Sequence, residues 1–498
     1  MSLFGIDLGS SGVKGVAFDL EGNAIASCSA SYAVRFPGPD QVEADPNGFW
    51  KAFLRVAQSI AGQTHQDPIE ALAMSCHGET FIPADEAGNP VAEAIMNADN
   101  RAIAVADELA GRMGWETIYN LTGAPPHAMF PLAKIAWLRR NQPEIYARAR
   151  RYLCVGDYVL RRMGLSPAID PSQASRTQLF DIHAGAWSKP LCEAIGIDPA
   201  MLPEVRPAGT PLGQLNAGMA KELGLPAGTR VAAGGHDQPC GALGLGVIRP
   251  GVVGDSAGSY ECLTVSSPRP YLNKTAMDSR LNSYCHVAPG QYVTLAFFPS
   301  GLMMRWFAES LCGVTGEDEA GPFFAQLEAE ARGNPSGLIV LPHVIGACNP
   351  NWDARAAAGI AGLTLRTSRA SIYRGILEGL AAELALNTDI LAVLTQCPFD
   401  EIRIFGGGAR SALGLELRAS STGRAMRALH TGEASCLGAA MLAGLGAGVF
   451  KDLDEAVARM VRFGGAVPPD AALAEWFAGY KKKFSMFYDA LKNLRGEE

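Results

Sequence analysis

The run Phe4-Gly5-Ile6-Asp7-Leu8-Gly9-Ser10-Ser11-Gly12-Val13-Lys14-Gly15-Val16-Ala17-Phe18-Asp19 restricts the fold more than any other stretch of the chain. It reads as an apolar strand, a tight glycine turn and a second strand, with Asp7 just before the bend. Gly9 and Gly12 are expected to take positive φ and to let the backbone approach a ligand closely. Successive N–H groups of such a turn converge on one concavity that suits a polyphosphate. Asp7 is placed to hold a hydrated magnesium ion, and Lys14 to meet phosphate charge. The same residues also fit an ordinary Gly-Ser hairpin. They fit neither a Walker loop nor a dinucleotide fingerprint, in which the glycine spacing differs and a helix follows.

At 498 residues the chain exceeds one ordinary core, so two large domains are expected. Hydrophobic residues make up 48% and charged residues 18%, the balance of a compact soluble protein. A net charge of −8 argues against a nucleic-acid surface, which needs clustered Lys and Arg. The one basic run, Lys481-Lys482-Lys483, falls in an amphipathic C-terminal helix and reads as a solvated face. The 11 cysteines are scattered, with no C-x-x-C pair and no metal-ligand spacing, which fits reduced thiols and a cytoplasmic location. The first residues enter a strand, so no signal peptide is expected. The apolar stretch from Cys436 to Phe450 is too short to span a bilayer and reads as a buried helix.

Strands and helices alternate along the chain, which implies an α/β architecture. Asp45-Pro46 opens a helix running to about Ala61, and Ile69 to Ser75 is a short apolar strand. Further helices are predicted at Ile103–Met113, Leu132–Asn141, Pro143–Arg150 and Val155–Arg162. Near Val231 a second cycle starts, with a strand ending at Gly234-Gly235-His236-Asp237 and a small-residue helix from Gly241 to Gly246. The segment Gly251 to Val265 then repeats the opening pattern of strand, Asp-Ser and glycine turn, strand. Two such hairpins half a chain apart suggest two related domains facing one nucleotide. A long helix at Ser371–Leu394 leads to the strand Glu401-Ile402-Arg403-Ile404-Phe405 and to Gly406-Gly407-Gly408-Ala409-Arg410-Ser411. Three glycines after a strand imply close backbone approach, either to a flat ligand or within a tight strand-to-helix turn.

Taken in order, these segments resemble the FGGY family of carbohydrate kinases, of the actin-like ATPase superfamily, over nearly the whole chain. The opening hairpin is similar to that family's first phosphate loop, and Asp45-Pro46 with Phe49-Trp50 to its early helix start. Ser75-Cys76-His77-Gly78-Glu79 falls at its sugar loop, followed by Asp99 and Arg101. Pro131 to Leu138 and Gly156-Asp157-Tyr158 match its central helices. Gly234 to Asp237 resembles the catalytic aspartate loop. Gly258-Ser259 stands at the second phosphate loop, and Gly406 to Ser411 at the adenosine loop.

The resemblance implies two RNase-H-like α/β domains around a cleft, the first spanning 1–246 and the second 247–498. It implies ATP and Mg2+ as cofactors and a ketose (pentulose or deoxy-hexulose) or related polyol as acceptor. Asp237 would be the general base, because transfer to an alcohol needs a group that takes the hydroxyl proton. His77, Gly78, Glu79, Asp99, Arg101 and Gln238 would bind the sugar. Gly9, Ser10, Ser11, Lys14, Gly258, Ser259, Gly407, Gly408 and Ala409 would contact the nucleotide, and Asp7 the metal. No nucleic-acid or membrane partner is implied, and a homodimer is compatible with the family. The chain departs from the family at Ser75, at Asn97 (where related kinases carry a Trp that walls the sugar) and at Ser420. Losing that wall disfavours glycerol. A partner-driving actin-like ATPase or a non-catalytic sensor are the rival readings; the first lacks an interaction domain here, and the second would not need Asp7 and Asp237.

Overall fold

The computed structural model describes residues 1–495, and two mixed sheets organise them. In the first, Ser2–Leu8 pairs antiparallel with Gly12–Phe18, which pairs with Ala24–Ser31; on its other side Ser2–Leu8 runs parallel to Ile69–Cys76. In the second, Val253–Ala257 pairs antiparallel with Tyr260–Ser267, which pairs with Tyr292–Pro299, and Val253–Ala257 runs parallel to Glu401–Phe405. The hairpin-plus-parallel-strand plan therefore occurs twice, as the repeated sequence pattern suggested. The central strand Ser2–Leu8 is buried on both faces and is mostly apolar up to Asp7, whereas the outer strand Ala24–Ser31 alternates buried and exposed.

Helices cover the sheets where the sequence placed them. Pro46–Gln63 starts on the Asp45 side chain, which accepts from the Asn47 N–H, and buries Phe49, Phe53, Val56 and Ile60 against the first sheet. Ile103–Met113 and Val155–Arg162 have the expected bounds, while the helix from Pro143 stops at Arg148 because Arg151–Leu153 forms a strand with Ile82–Ala84. Arg369–Thr395 is the long helix, and Ala434–Gly446 is the buried helix expected from Cys436 onward. Among the described residues no helix is long and apolar enough to cross a membrane.

Two expectations are corrected. Neither Gly9 nor Gly12 takes the left-handed φ; Gly12 is needed because a Cβ there would lie 2.8 Å from the Ala30 carbonyl oxygen on the neighbouring strand. The small-residue helix begins at Asp237, not Gly241, and runs to Gly244 with His236 as its cap residue.

The two sheets lie on either side of residue 246 in sequence, yet one core joins them. Helices Asp237–Gly244 and Ala434–Gly446 cross so closely that a Cβ on Gly438 would lie 2.0 Å from the Cys240 oxygen. Leu437, Ala440 and Met441 then pack with Leu3, Val16 and Ala71 of the first sheet. A second junction lies at Gly123, whose carbonyl accepts from the Ser283 N–H at 2.7 Å, beside the Tyr119 hydroxyl bonded to the Leu281 oxygen. This seam carries Asn282 and Tyr284 of the second sheet into contact with the first domain.

Candidate active site

The parallel strands Ser2–Leu8, Ile69–Cys76 and Gly235–His236 end side by side, which brings Asp7, Ser75 and Asp237 together. Asp7 is held by Ser75, whose Oγ donates to Asp7 Oδ1 at 2.8 Å, while Oδ2 takes no hydrogen bond. Ser75, one of the departures from the family, thus orients this carboxylate. Burial pushes the Asp7 carboxyl up to about 6. Asp237 opens its helix with its side chain 28% exposed, and Oδ1 is enclosed without a hydrogen-bond partner. His236 Nε2 lies 3.1 Å from that oxygen but is not aligned to donate. Burial, then the Asp7 and Glu79 charges, raise the Asp237 carboxyl well above the ordinary range. His236 is held well below its usual value by burial and by Arg176, and its Nδ1 meets the Tyr284 hydroxyl at 2.9 Å.

Glu79 stands at the centre of a buried network. Its φ of 65° is left-handed, a strained position for a non-glycine residue of the kind that collects at functional sites. Its Oε1 accepts from Arg176 Nε at 2.6 Å, and Arg176 also donates to Asn282 Oδ1 at 3.1 Å while lying over the Phe130 and Tyr284 rings. Lys134 is fully buried, donates to the Glu79 and Met96 carbonyls, and is pushed down to about 7 by that burial. Gly78 has no room for a side chain, since a Cβ would lie 2.9 Å from His236 Nε2.

His77 takes a different place from the one expected. Its Nδ1 donates to the Leu8 oxygen at 2.8 Å, and its Nε2 accepts from the Thr80 hydroxyl, which in turn accepts from the Asn97 N–H. Both ring nitrogens are spent inside the loop, so His77 ties the loop together rather than presenting a nitrogen to a sugar. Asp99 and Arg101 are likewise satisfied: Arg101 pairs with Asp99 and Glu43 and lies over Trp137, and Asp99 accepts the Val42 N–H. These two brace the segment behind the sugar loop. Gln238 is half-buried in the first helical turn beside Asp237.

On the nucleotide side, Ser10, Ser11, Gly258, Ser259 and Gly407 are exposed tips, which leaves their backbone open to a ligand. Lys14 is half-buried and pairs with Glu433 at 2.5 Å. Gly406 and Gly408 are small because they pack on Ala257 of the second hairpin; a Cβ on Gly408 would lie 2.7 Å from the Ala257 Cβ. Gly407 is under no such constraint, and Ala409 follows it in the 3-10 turn Gly407–Arg410. Behind this turn Arg418 pairs through two nitrogens with Glu261, which also accepts from Ser300. Ser420 bonds the Glu416 oxygen and accepts the Asp470 N–H, fastening this helix to the start of the C-terminal one. A separate groove of about 640 Å³ on the first domain, bordered by Arg151, Arg161 and Trp187, contains none of these groups.

Arg176, Asn282, Tyr284, His127 and Trp352 join the site without a sequence signal of their own. Asn282 and Tyr284 arrive through the Gly123 seam. His127 and Trp352 face each other across the domains with ring centroids 6.4 Å apart.

Two hairpin-led sheets, each presenting an acidic strand and a glycine turn to a shared cleft, define a two-domain actin-like ATPase fold with a phosphotransferase site. The chain belongs to the FGGY family of carbohydrate kinases: the N-terminal domain model matches residues 2–244 and the C-terminal domain model residues 256–447. An autoinducer-2 kinase from Yersinia enterocolitica is 30% identical over 512 residues, covering 97% of this chain and 95% of its own. Among solved structures, a xyloylose kinase from Brucella ovis superposes with a TM-score of 0.87 at 24% identity, over 99% of this chain and 100% of its own. The glycerol kinase of Plasmodium falciparum, solved with ADP, gives 0.85 at 21% identity over 99% of this chain and 98% of its own.

Proposed function

We propose that this kinase transfers the γ-phosphate of ATP to a hydroxyl of a ketose, a pentulose or deoxy-hexulose, or of a related polyol, with Asp237 as general base. The observation that carries this reading is the enclosed, unpartnered Oδ1 of Asp237 at the meeting point of the sugar loop and the first phosphate hairpin. A buried acceptor left open in this way is the complement of a hydroxyl proton. Its raised pKa favours proton uptake from the attacking alcohol near neutral pH, and the N-terminus of its helix steadies the ionised form. Glu79 and Asn282, both fixed by Arg176, supply further acceptors for a polyhydroxylated ligand.

The exposed hairpin tips at Ser10–Ser11 and Gly258–Ser259, with Gly407, would hold the nucleotide. Asp7, fixed by Ser75 and free at Oδ2, fits a hydrated magnesium ion held through water, which supplies charge neutralisation on the phosphates when bound. The likeness to an autoinducer-2 kinase along nearly the full length adds autoinducer-2 as a second acceptor to try. The test is an ADP-release screen with ATP and magnesium over pentuloses, deoxy-hexuloses, pentitols, glycerol and autoinducer-2. One acceptor turned over by the wild type and not by Asp237→Asn supports the reading; ATP binding without any acceptor turnover favours a sensor.

A further inference from the structure

We propose that Trp352 and His127, one from each domain, form the wall of the sugar site that reads a carbonyl oxygen, donating their ring N–H groups to an open-chain ketose. This rests on the kinase reading above and narrows its acceptor to the ketose side.

The argument starts from an unused donor. Trp352 Nε1 is enclosed and has no hydrogen-bond partner, although a buried indole N–H nearly always finds one. Its φ of 46° is left-handed for a bulky side chain, a strained position that the surrounding packing sustains. Its ring lies edge-on to Phe297 at 5.6 Å, and Phe297 lies against Tyr260 at 6.0 Å.

The same group of rings borders the catalytic carboxylate. Phe297 is the cross-strand partner of Cys262, so the two side chains share one face of the second sheet. On the neighbouring strand of that sheet the Tyr284 hydroxyl meets His236 Nδ1 at 2.9 Å, and His236 Nε2 lies 3.1 Å from Asp237 Oδ1, which brings the sheet to the base. On the other side, Trp352 meets His127, whose carbonyl accepts from the Phe130 N–H, and Phe130 lies under the Arg176 guanidinium that pairs with Glu79. The aromatic group thus bridges from Asp237 to Glu79 over the second-domain side of the cleft.

His127 adds a second donor. Its Nδ1 accepts the Met129 N–H at 3.1 Å, so the neutral ring carries its proton on Nε2, which has no partner among the described residues. Burial and Lys134 keep the ring neutral. Two N–H donors with no acceptor of their own complement an oxygen that only accepts, and a ketone carbonyl is such an oxygen. A hydroxyl in that position must send its proton elsewhere. The apolar face of Trp352 also supplies a surface for the carbon edge of the sugar, which Asn97 no longer provides.

The experiment compares steady-state kinetics of wild type, Trp352→Phe and His127→Asn on D-xylulose and xylitol, L-xylulose and L-arabinitol, and D-ribulose and ribitol. Trp352→Phe keeps an aromatic side chain while removing the donor, and a melting curve checks that each variant folds. The expected result is a ketose-over-alditol preference in kcat/KM of about tenfold or more in the wild type, from the one or two hydrogen bonds at stake. In Trp352→Phe the ketose KM rises about three- to tenfold with ATP KM unchanged, and the ketose preference shrinks by the same factor. An unchanged preference in Trp352→Phe, or equal rises in sugar and ATP KM, overturns the carbonyl wall while leaving the kinase reading intact. A wild type that turns over none of these ketoses overturns the carbonyl wall; the kinase reading falls only when the wider acceptor screen is silent as well.

Discussion

Replacing Asp7 by Asn should stabilise the unliganded protein at neutral pH while abolishing its reaction. The Asp7 carboxyl sits at a strand end where burial lifts it from its ordinary 3.8 to about 6. Below pH 4 the group is protonated in folded and unfolded chains alike. Between about 4 and 6 the unfolded chain ionises while the folded one keeps its proton, so this residue withdraws stability as pH rises. Above about 6 the loss is complete. Lifting a carboxyl that far corresponds to about 3 kcal/mol, which local relaxation and residual water contact trim to about 1–3 kcal/mol. Asn is nearly isosteric, keeps an oxygen for the Ser75 hydroxyl and never ionises, so it escapes the cost. The assay is a series of melting curves of wild type and Asp7→Asn from pH 4.5 to 8, without and with Mg-ATP. The variant's advantage should grow up to about pH 6 and then level off, at several degrees for domains of this size. Mg-ATP should close the gap by stabilising the wild type more. A variant that melts at or below the wild type at pH 7.5, or an advantage that does not grow with pH, refutes the desolvation argument.

Asp237→Asn should lower kcat by about 10²–10⁴-fold with ATP affinity nearly unchanged, measured by ADP release and nucleotide titration; retention of most of kcat removes Asp237 from the mechanism. The acid limb of kcat/KM in the wild type should fall at a pH above the usual carboxylate range, because the base must be ionised, and burial and then the Asp7 and Glu79 charges hold its proton on. A limb near pH 4 contradicts that. Glu79→Gln should raise sugar KM more than ATP KM and cost about 3 kcal/mol in denaturant unfolding, since it leaves the buried Arg176 without its counter-charge. Gly438→Ala should destabilise by about 1–3 kcal/mol or more, because the added Cβ would lie 2.0 Å from the Cys240 oxygen; a neutral effect on unfolding means the helix crossing is loose.

Much of the fold was legible because it rests on local patterns. The alternation of strands and helices, the twin hairpins and the Asp45-Pro46 cap are all written within a few residues of where they act. The positions of Asp7, Asp237 and Glu79 were legible for a similar reason, since each sits where a strand runs into a glycine or a turn. What stayed hidden depends on contacts between distant segments. His77 looked like a sugar ligand until the Leu8 carbonyl and the Thr80 hydroxyl took its two nitrogens. Asp99 and Arg101 looked like polar contacts until Glu43 and the Val42 N–H enclosed them. Arg176, Asn282 and Trp352 carry no motif of their own and reach the cleft only through tertiary packing. The glycines of the adenosine loop were read as making room for a ligand, and two of the three make room for Ala257 instead.

The seam at Gly123 has a mechanical consequence. A short backbone hydrogen bond from Ser283 and a carbonyl that leaves no space for a Cβ on Gly123 cannot shear when the domains rotate. Together with the equally tight helix crossing at Gly438, the seam would set the line about which any such rotation turns. Groups near it, Arg176 with Asn282 and Tyr284 among them, sit at the fulcrum and travel little. The turns at Ser259 and Gly407 lie outside the seam and sweep the longer arc. On the proposed reading, the groups that would meet the acceptor act as an anvil, already set, and the turns that would meet the nucleotide as the hammer.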